Sequence, residues 1–530
     1  MKKRKKKERS ESGMRLAARW RKGFFSVVFS RLGLVLIVLL FQLLFIYLAW
    51  DLFGELLGTY TVTVRTVLEI IVMMILINSK MDNAAKVSWM LVIAFAPLLG
   101  SVFYLWTQFE TGHKNVKHKM QLLTKANYRV LPQNHDIKQN LKKESPESAA
   151  LAEYLYRLDG NPVYDGTTVK YYSCGEEKFP DMLDELDKAE KFIFLEYFII
   201  EEGYMWGKIL EVLAKKAAEG VDVRVMYDGS CDLSTLPYNY PKRLAKIGIK
   251  CKKWEPIKPV ITSTYNYRDH RKILVIDGKV GFCGGVNLAD EYINHIVRFG
   301  YWKDTAIKLK GPAVDSFTLM FLQMWNITEK KLEDIRKYFG QCEKSAEPDG
   351  YIIPYSESPM NDHKIAERVY MDMLYNAKNY IWITSPYLIL DGELSAALRY
   401  AAQRGVDVRL ILPGIPDKKA VWALAKSHYK QLVTAGVKIY EFTPGFVHAK
   451  NFISDDCKAV VGTINLDYRS LYHHFECAAY MYGCSCIADI KKDFEATFPK
   501  CQEVTLETIK NEPLSRKIVG ATLKMVAPML

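Results

Sequence analysis

The sequence predicts an α/β protein that consists of two duplicated halves behind an N-terminal membrane region. Three observations support this fold class. Residues 32–106 contain three apolar stretches, the segments 191–228 and 379–413 share one strand–helix–strand pattern, and one chemical motif occurs twice, beginning at His270 and at His448. With 530 residues the chain is long enough for more than one domain.

Positive charge is concentrated at the N-terminus. The net charge is +13, and residues 2–22 contain eleven Lys and Arg against two Glu. A basic tail of this kind binds either nucleic acid or an anionic lipid surface, and the apolar stretch that follows it favours lipid. We therefore expect residues 1–31 to form a basic cytoplasmic tail.

Three apolar stretches follow the tail and are predicted to be transmembrane helices, at about 32–50, 60–78 and 88–106. The first has one polar side chain, Gln42, and as a helix would be about 28 Å long, close to the hydrocarbon thickness of a bilayer. The second is weaker because it contains Arg65 and Glu69. These spans predict a multi-pass protein of the cell membrane.

The charge of the loops predicts which side of the membrane holds the large C-terminal part. If the basic tail is cytoplasmic and all three stretches cross, that part lies on the outer face. We expect this outer location. If 60–78 does not cross, the C-terminal part lies in the cytoplasm, and one signal, the five Lys and Arg residues within 107–129, agrees with this alternative. Residues 107–150 are predicted to be a linker, followed by the first half at 151–340 and the second half at 341–530.

The two halves are recognised by an internal repeat. Each has an apolar strand, a segment with helical periodicity and then the pentapeptide GVDVR, which occupies 220–224 in the first copy and 405–409 in the second. The glycine is expected to end the helix, and the β-branched residues after it begin the next strand. This pattern predicts a βαβ unit in each half, within a parallel or mixed sheet.

A chemical motif follows each βαβ unit with identical spacing. Its members are His270, Lys272, Asp277, Gly284 and Asn287 in the first copy, and His448, Lys450, Asp455, Gly462 and Asn465 in the second. Two copies that agree at all five positions, inside a longer repeat, are a specific sign of duplication.

The spacing of the motif predicts a phosphate site. Histidine and lysine two residues apart on a strand project from the same face, so an imidazole and an ammonium group can reach one phosphate. The residue pairs 284–285 and 462–463 allow a turn that brings backbone and asparagine close to that phosphate. The candidate phosphate-binding residues are therefore Gly285, Asn287, Thr463 and Asn465.

Carboxylates are expected to support this chemistry in two ways. Asp304 and Glu476 follow the two motifs at similar distances and are candidates to orient the histidines, because a nucleophilic imidazole needs an acceptor at its far nitrogen. Asp277 and Asp455 belong to the catalytic motif but end apolar strands, so we expect them to be mostly structural. No acidic cluster suited to Mg²⁺ or Ca²⁺ is recognisable, which predicts a reaction without metal or other cofactor.

The motifs resemble those of the phospholipase D superfamily, H-x-K-x₄-D followed by a glycine pair and asparagine. The stretches YRDHRKILVIDGKVGFCGGVNLADEY and GFVHAKNFISDDCKAVVGTINLDYRS are similar, more narrowly, to the bacterial cardiolipin synthases. This resemblance implies two phospholipase D-like α/β halves about a pseudo-twofold axis with one site at their junction. One departure is His474, where the family usually has asparagine.

The resemblance also implies a reaction, in which two phosphatidylglycerol molecules give cardiolipin and glycerol. His270 would attack phosphorus and form a phosphohistidine, and His448 would protonate the leaving glycerol. The lysines and asparagines of both motifs would stabilise the phosphoryl oxygens. Because the motifs are symmetric, the sequence leaves open which histidine is the nucleophile.

Other functions remain alternatives. The same site could hydrolyse phospholipids or transfer them to another alcohol, as a phospholipase D does. A membrane-tethered nuclease is less favoured, because no long stripe of basic and aromatic residues lies near the motifs, and we expect no nucleic-acid partner. An inactive scaffold is disfavoured because both motifs are intact. The expected partners are therefore a phospholipid membrane and phosphatidylglycerol, and the oligomeric state is left open.

Overall fold

The fold is taken from a computed structural model of the chain. It describes residues 13–16, 44, 47, 60–109, 111–255, 266–329, 333–344, 349–361 and 363–529. The helices in this part of the chain are α1 (Tyr60–Ile77), α2 (Asn83–Phe95), α3 (Pro97–Phe109), α4 (Thr111–Asn127), α5 (His135–Glu144), α6 (Pro146–Asp159), α7 (Gly175–Asp187), α8 (Tyr204–Ala218), α9 (Cys231–Ser234), α10 (Tyr240–Ala245), α11 (Val314–Ile327), α12 (Ile365–Asn376), α13 (Gly392–Gln403), α14 (Lys419–Thr434), α15 (Cys486–Thr497), α16 (Leu506–Lys510) and α17 (Leu514–Val526).

The strands form two large mixed sheets and one small sheet. They are β1 (Thr168–Tyr172), β2 (Phe192–Tyr197), β3 (Asp222–Asp228), β4 (Lys250–Trp254), β5 (Lys272–Ile276), β6 (Val280–Gly284), β7 (Tyr301–Lys303), β8 (Ala306–Lys310), β9 (Tyr351–Glu357), β10 (Tyr380–Thr384), β11 (Asp407–Pro413), β12 (Lys438–Phe442), β13 (Gly445–Val447), β14 (Asn451–Ser454), β15 (Lys458–Gly462), β16 (Glu476–Tyr482) and β17 (Cys501–Val504).

The strand order of the two large sheets confirms the predicted duplication. The first sheet has the order β1-β8-β6-β5-β2-β3-β4. The second, taken from its β9 edge, has the order β9-β16-β15-β14-β10-β11-β12, with β17 added at the far edge. Each strand of the first sheet therefore has a counterpart at the same place in the second. The boundary between the halves at residues 340 and 341 stays a prediction.

The predicted βαβ units are at the centre of both sheets. Strands β2 and β3 are parallel neighbours, and α8 lies between them in the sequence. Strands β10 and β11 are parallel neighbours in the same way, with α13 between them in the sequence. The glycines of the two GVDVR segments, Gly220 and Gly405, have φ angles of 94° and 93°. This left-handed conformation, which glycine adopts without steric cost, ends each helix and turns the chain into the next strand.

The sheets face each other across a shared apolar core. Alternate side chains of β2 point to opposite faces, so Phe192 and Phe194 enter the shared core while Ile193 and Leu195 pack against the helices of the first half. The second half contributes Ile453 and other buried side chains of β14–β16 to the same core. Burial on both faces explains why the central strands are apolar along their whole length.

Two short backbone contacts join the halves next to the motifs. Strand β7 of the first half pairs in parallel with β13 of the second. The equivalent contact is a single parallel bridge between Asp269 and Phe475. The first contact links the strand before His448 to the strand before Asp304. The second links the residue before His270 to the residue before Glu476. The junction therefore aligns both motifs with the carboxylates of the opposite half.

The N-terminal region differs from the predicted set of three spans. The stretch 32–50 lies outside the described residues apart from positions 44 and 47, and 60–78 corresponds to α1. The stretch 88–106 is divided between α2 and α3, because Pro97 cannot continue the hydrogen-bond pattern of α2 and disfavours the helical conformation at Ala96. Among the residues that the structure describes, no helix combines the length and apolar character needed to cross a bilayer.

The segment 107–150, predicted to be a linker, contains helices. Asn134 caps helix α5, its side chain accepting the N–H groups of Asp136 and Ile137, and the helix buries Ile137 and Leu141 on one face. A second cap follows directly, since Ser145 caps α6 and a proline occupies the first turn of that helix. Residues four apart on the buried face of α5 account for its packing.

Candidate active site

The two motif histidines lie at the junction of the halves, at the start of equivalent strands. Lys272 begins β5 and Lys450 immediately precedes β14, and each histidine is two residues earlier in the chain. All four side chains are buried, with 6% of His270 and 7% of His448 exposed. Because both histidines precede their strands, the expected placement of imidazole and ammonium on one strand face stays a prediction.

Each histidine is held by a carboxylate from the opposite half. His270 Nδ1 lies 2.8 and 2.9 Å from the two carboxylate oxygens of Glu476, and His448 Nδ1 lies 2.7 Å from Asp304 Oδ2. The backbone repeats this exchange, since His270 N–H donates to Phe475 O at 2.9 Å and His448 N–H donates to Lys303 O at 2.7 Å. Neither motif histidine therefore takes its orienting carboxylate from its own half.

These contacts determine which ring nitrogen is available for chemistry. An ionised carboxylate only accepts hydrogen bonds, so Nδ1 of each imidazole carries the proton and Nε2 keeps a free electron pair. Burial lowers the pKa of His270 to about 3 and that of His448 to about 4, although the carboxylates oppose this change. Both imidazoles are thus neutral at pH 7 and present Nε2 as a base or nucleophile.

The carboxylates remain ionised despite their burial. Burial by itself raises the pKa of a carboxyl group, but His270 and nearby Lys272 hold the pKa of Glu476 well below its ordinary range. His448 and Lys450 likewise lower the pKa of Asp304. The charge that orients each imidazole is therefore present at neutral pH.

Burial acts on the charge of both motif lysines. Burial lowers the pKa of Lys272, and it lowers the pKa of Lys450 to about 7. Each ammonium group donates to the backbone carbonyl of its own motif histidine. Lys450 Nζ also lies 2.9 Å from His448 Nδ1. These groups concentrate positive charge beside the two imidazoles, which suits an anionic phosphodiester.

The motif aspartates do not point at the histidines. The carboxylate of Asp277 accepts backbone N–H groups from Glu190, Lys191 and Phe192 at 2.7–2.8 Å. Asp455 accepts three equivalent N–H groups, from the backbone of residues 378–380, at 2.8–3.0 Å. Both aspartates have positive φ angles, 54° and 52°, in the turn after their strands. Each carboxylate thus connects a motif strand to the start of β2 or β10.

The residues after the glycines support the orienting carboxylates. A Cβ atom on Gly285 would lie 1.9 Å from Asp304 Oδ1, so only glycine leaves room for that carboxylate. The equivalent residue in the second half, Thr463, donates its hydroxyl to Glu476. The backbone N–H groups of both residues are bonded to carbonyl oxygens, Thr305 O and Cys477 O, both at 2.9 Å. The structure therefore does not direct these N–H groups towards a phosphate.

The two asparagines have different surroundings. Asn287 accepts the N–H of Ile199 at 3.0 Å and donates to the hydroxyl of Tyr292 at 2.8 Å, so both ends of its amide are engaged by the protein. Asn465 is also buried, but within the described part of the chain its Oδ1 has no hydrogen-bond partner. Of the two, Asn465 is the one whose amide oxygen the described protein atoms leave unsatisfied.

Aromatic residues that the motif does not include surround the histidines. The ring of Phe198 lies 4.8 Å from that of His270, and the rings of Tyr292 and Trp302 lie 5.4 and 5.5 Å from that of His448. His474 occupies the position equivalent to Trp302, two residues before the carboxylate, with its ring 5.5 Å from that of His270. This equivalence is visible in the sequence once the carboxylates of the two halves are aligned.

One group of side chains has the composition of a metal site. Ligand atoms of His270, His474 and Glu476 lie within 4.8 Å of one another. The adjacent Lys272, whose charge interacts with both His270 and Glu476, opposes a cation at this place. The expectation of a metal-free reaction stays a prediction.

Known proteins resemble this chain over most of its length. The family described as "Cardiolipin synthase, PLD-like domain" matches residues 182–325 and 370–498, one segment in each half. The cardiolipin synthase of Alkalihalophilus pseudofirmus is 33% identical, with 89% of this chain and 94% of that protein covered. The cardiolipin synthase 2 of Bacillus anthracis is 32% identical, with 84% and 86% covered.

Two further comparisons concern a close relative and the fold. An uncharacterized protein of Streptococcus mutans is 55% identical over 455 residues, which cover 86% of this chain and 98% of that protein. The crystal structure of phosphatidylserine synthase from Haemophilus influenzae has a TM-score of 0.52 at 15% identity, with 72% of this chain and 97% of that chain covered. At this identity the structural likeness supports the fold with two α/β halves.

Proposed function

Because the chain belongs to the cardiolipin synthase family of phospholipase D-like proteins, we propose that it transfers a phosphatidyl group from one phosphatidylglycerol to a second, forming cardiolipin and glycerol. The observation that carries this proposal is the exchange of carboxylates between the halves. It presents two neutral imidazoles and two lysines to one buried place, as a two-step phosphoryl transfer requires.

In the first step, His270 Nε2 attacks the phosphorus of one phosphatidylglycerol. A P–N bond forms, the bond from phosphorus to the glycerol oxygen breaks, and the leaving glycerol takes a proton from His448. The pKa of His448, about 4 in the free protein, rises when the anionic phosphodiester binds beside it, so that the imidazole can carry this proton. Glu476 stabilises the positive charge that develops on His270.

In the second step, His448 removes the proton from a glycerol hydroxyl of the second phosphatidylglycerol. That oxygen attacks phosphorus, the P–N bond breaks, and cardiolipin leaves with His270 restored. Lys272, Lys450 and the Nδ2 donors of Asn465 would stabilise the phosphoryl oxygens in both transition states. Asp277, Asp455, Asn287, Gly285 and Thr463 act through the groups that they hold in place.

We place the reaction at the cell membrane, since its substrates are lipids. The apolar stretches at 32–50 and 60–78 would anchor the protein there. The outer face is expected for three crossings. Because 88–106 forms the α2–α3 hairpin, the two remaining crossings would return the chain to the side of the basic tail, which the loop charges place in the cytoplasm. Hydrolysis of phospholipids is the alternative that uses the same histidines, with water as the acceptor. The aromatic side chains around His448 favour a lipid alcohol over water as the group next to this base.

The test is a reconstituted assay with the full chain. Purified protein is incubated with vesicles of phosphatidylglycerol in the presence of EDTA, beside a His270→Ala variant. We expect cardiolipin and glycerol in equal amounts from the unmutated protein and none from the variant. Phosphatidic acid without cardiolipin would show that the protein hydrolyses its substrate, and dependence on added metal would contradict the metal-free mechanism.

A further inference from the structure

The C-terminal helix α17 has an apolar face that the protein does not cover. Leu514, Ile518, Val519 and Met525 are exposed, with 73% of Leu514 and 57% of Ile518 accessible to solvent. The opposite face of α17 packs tightly on α14, since a Cβ atom on Gly520 would lie 2.4 Å from Ala423 O. The helix is therefore fixed to the domain with its apolar side outward.

The charge of α17 is entirely positive. Its thirteen residues include Arg516, Lys517 and Lys524 and no acidic residue. Lys517 and Lys524 are exposed, and both lie on the same flank of the apolar face when the helix is viewed along its axis. A helix with one apolar face and basic residues beside it is typical of segments that lie in the interface of an anionic membrane.

The apolar surface continues from α17 onto the hairpin formed by α2 and α3. Ser88 of α2 donates its hydroxyl to Met525 O of α17 at 2.7 Å. At the bend of the hairpin Phe95 is 81% exposed, and Val102 and Trp106 are exposed along α3. The hairpin itself is held closed by Trp89, whose ring lies 5.5 Å from that of Phe103 and 5.3 Å from that of Tyr104.

The dimensions of the hairpin fit entry into one leaflet. Each helix has thirteen residues and is about 20 Å long, shorter than the roughly 30 Å of a bilayer core. Residues 83–109 contain one charged side chain, Lys86, which lies at the end away from the bend. An apolar hairpin with its only charge at its base can enter the acyl region without burying that charge.

This surface is adjacent to the active site. Pro528 O, in the turn after α17, lies 3.4 Å from His473 Nε2, one residue before His474. In the same place Ala527 packs with Ile389 and Tyr468 of the second half. A membrane that covers α17 and the hairpin would thus lie beside the rim of the site that receives the lipid headgroup.

We propose that α17 and the α2–α3 hairpin form a docking surface that holds the catalytic halves on an anionic leaflet, independently of any transmembrane anchor. The occupant is lipid rather than a second copy of the chain, because the basic flank of α17 has charge complementary to anionic headgroups and would face like charge in a copy of itself. The docking surface itself is inferred from the exposed side chains. Its role in bringing lipid substrates to the active site rests on the proposed function.

The test uses vesicles of phosphatidylcholine that contain a photoactivatable phosphatidylserine, an anionic lipid that is not the proposed substrate. The full chain is bound to these vesicles and illuminated, and the cross-linked peptides are identified by mass spectrometry. We expect lipid adducts within 514–526 and 83–109. Adducts that avoid both segments would overturn the proposal.

A matched pair of variants measures the contribution of α17. Ile518→Glu places a negative charge on the apolar face, and Tyr400→Glu makes the same change at an exposed aromatic residue of α13. We expect the yield of adducts within 514–526 to fall about tenfold for Ile518→Glu and to stay near the unmutated value for Tyr400→Glu. Equal yields from the two variants would overturn the proposal. Adducts without cardiolipin synthesis would leave the docking surface intact and contradict only the proposed reaction.

Discussion

The two halves share their strand order and motif spacing, yet they place different side chains around their histidines. His270 is accompanied by Phe198 and His474, whereas His448 is accompanied by Tyr292 and Trp302. The carboxylate differs as well, since the longer Glu476 reaches His270 and the shorter Asp304 reaches His448. A duplicated fold thus supplies equivalent positions, and in the proposed mechanism the local differences at these positions allow one histidine to act as nucleophile and the other as acid and base.

The comparison also explains why the protein needs both halves. Because each carboxylate orients the histidine of the other half, separation of the halves would leave two buried imidazoles without acceptors. The cross-half contacts are therefore the part of the structure on which the reaction depends most. Substitutions in one half at a time can therefore measure how much each cross-half contact contributes to catalysis and to stability.

The largest expected loss of kcat comes from substitution of the orienting carboxylates. Glu476→Gln and Asp304→Asn keep the side-chain shape but remove the charge that fixes the Nδ1–H tautomer. We expect kcat to fall about 100-fold to 1,000-fold for each, because the imidazole loses both its orientation and its stabilised positive charge. Thermal unfolding is the control for folding. A loss of less than threefold in either variant would contradict its role.

The residues beneath the carboxylates are expected to differ between the halves. Gly285→Ala forces Asp304 to move, since the added Cβ would lie 1.9 Å from its oxygen, and we expect about a 10-fold to 100-fold loss of kcat. Thr463→Ala removes one hydrogen bond to Glu476 and leaves space, so we expect a loss of about threefold to tenfold. The measurement is the initial rate of cardiolipin formation, and a larger loss for Thr463→Ala would reverse the comparison.

The lysines are expected to differ in the pH dependence of kcat/KM. Lys450 has a pKa of about 7, so it is charged below this pH and progressively neutral above it. If its charge holds the phosphodiester, kcat/KM falls as the pH rises through about 7. Lys450→Arg keeps a cation at all these pH values and should remove this alkaline limb. Lys272→Arg is the control. It leaves Lys450 unchanged, so kcat/KM should still fall as the pH rises through about 7.

The smallest expected effect on catalysis comes from the motif aspartates, whose contribution is to stability. Asp277 is buried, with 5% exposed, so Asp277→Ala leaves three backbone N–H groups without an acceptor in a place that water enters poorly, and we expect the free energy of unfolding to fall by about 2–4 kcal/mol. Asp455 is only half-buried, so water replaces its carboxylate more readily and about 1 kcal/mol is expected. Denaturant unfolding measures both, and equal losses would contradict this account.

Local patterns in the sequence predict much of the fold. The βαβ units can be predicted from the GVDVR segments and the apolar runs before them, because these patterns involve neighbouring residues alone. The spacing of histidine and lysine within each motif is local in the same way. The apolar run 88–106 was not sufficient to predict its structure, because Pro97 bends it into a hairpin and Gly100 allows the two helices to approach closely.

The remainder of the site depends on contacts between distant residues. His270 and Glu476 are 206 positions apart, and their pairing follows from the packing of the two halves, which no local pattern contains. For the same reason the sequence predicted phosphate contacts for Asn287, whose amide is occupied by Ile199 and Tyr292 in the folded chain. The identity of a residue was thus easier to predict than the partner of its side chain.

The central claim is that His270 alone forms the covalent intermediate. The most direct measurement uses full-chain His448→Asn and His270→Asn variants with phosphatidylglycerol labelled in its phosphate, quenched in base to preserve phosphohistidine and mapped by mass spectrometry after digestion. We predict a phosphatidyl adduct on His270 in the His448→Asn variant and no adduct in the His270→Asn variant. An adduct on His448 in the His270→Asn variant would contradict the assignment and show that the two halves are chemically interchangeable.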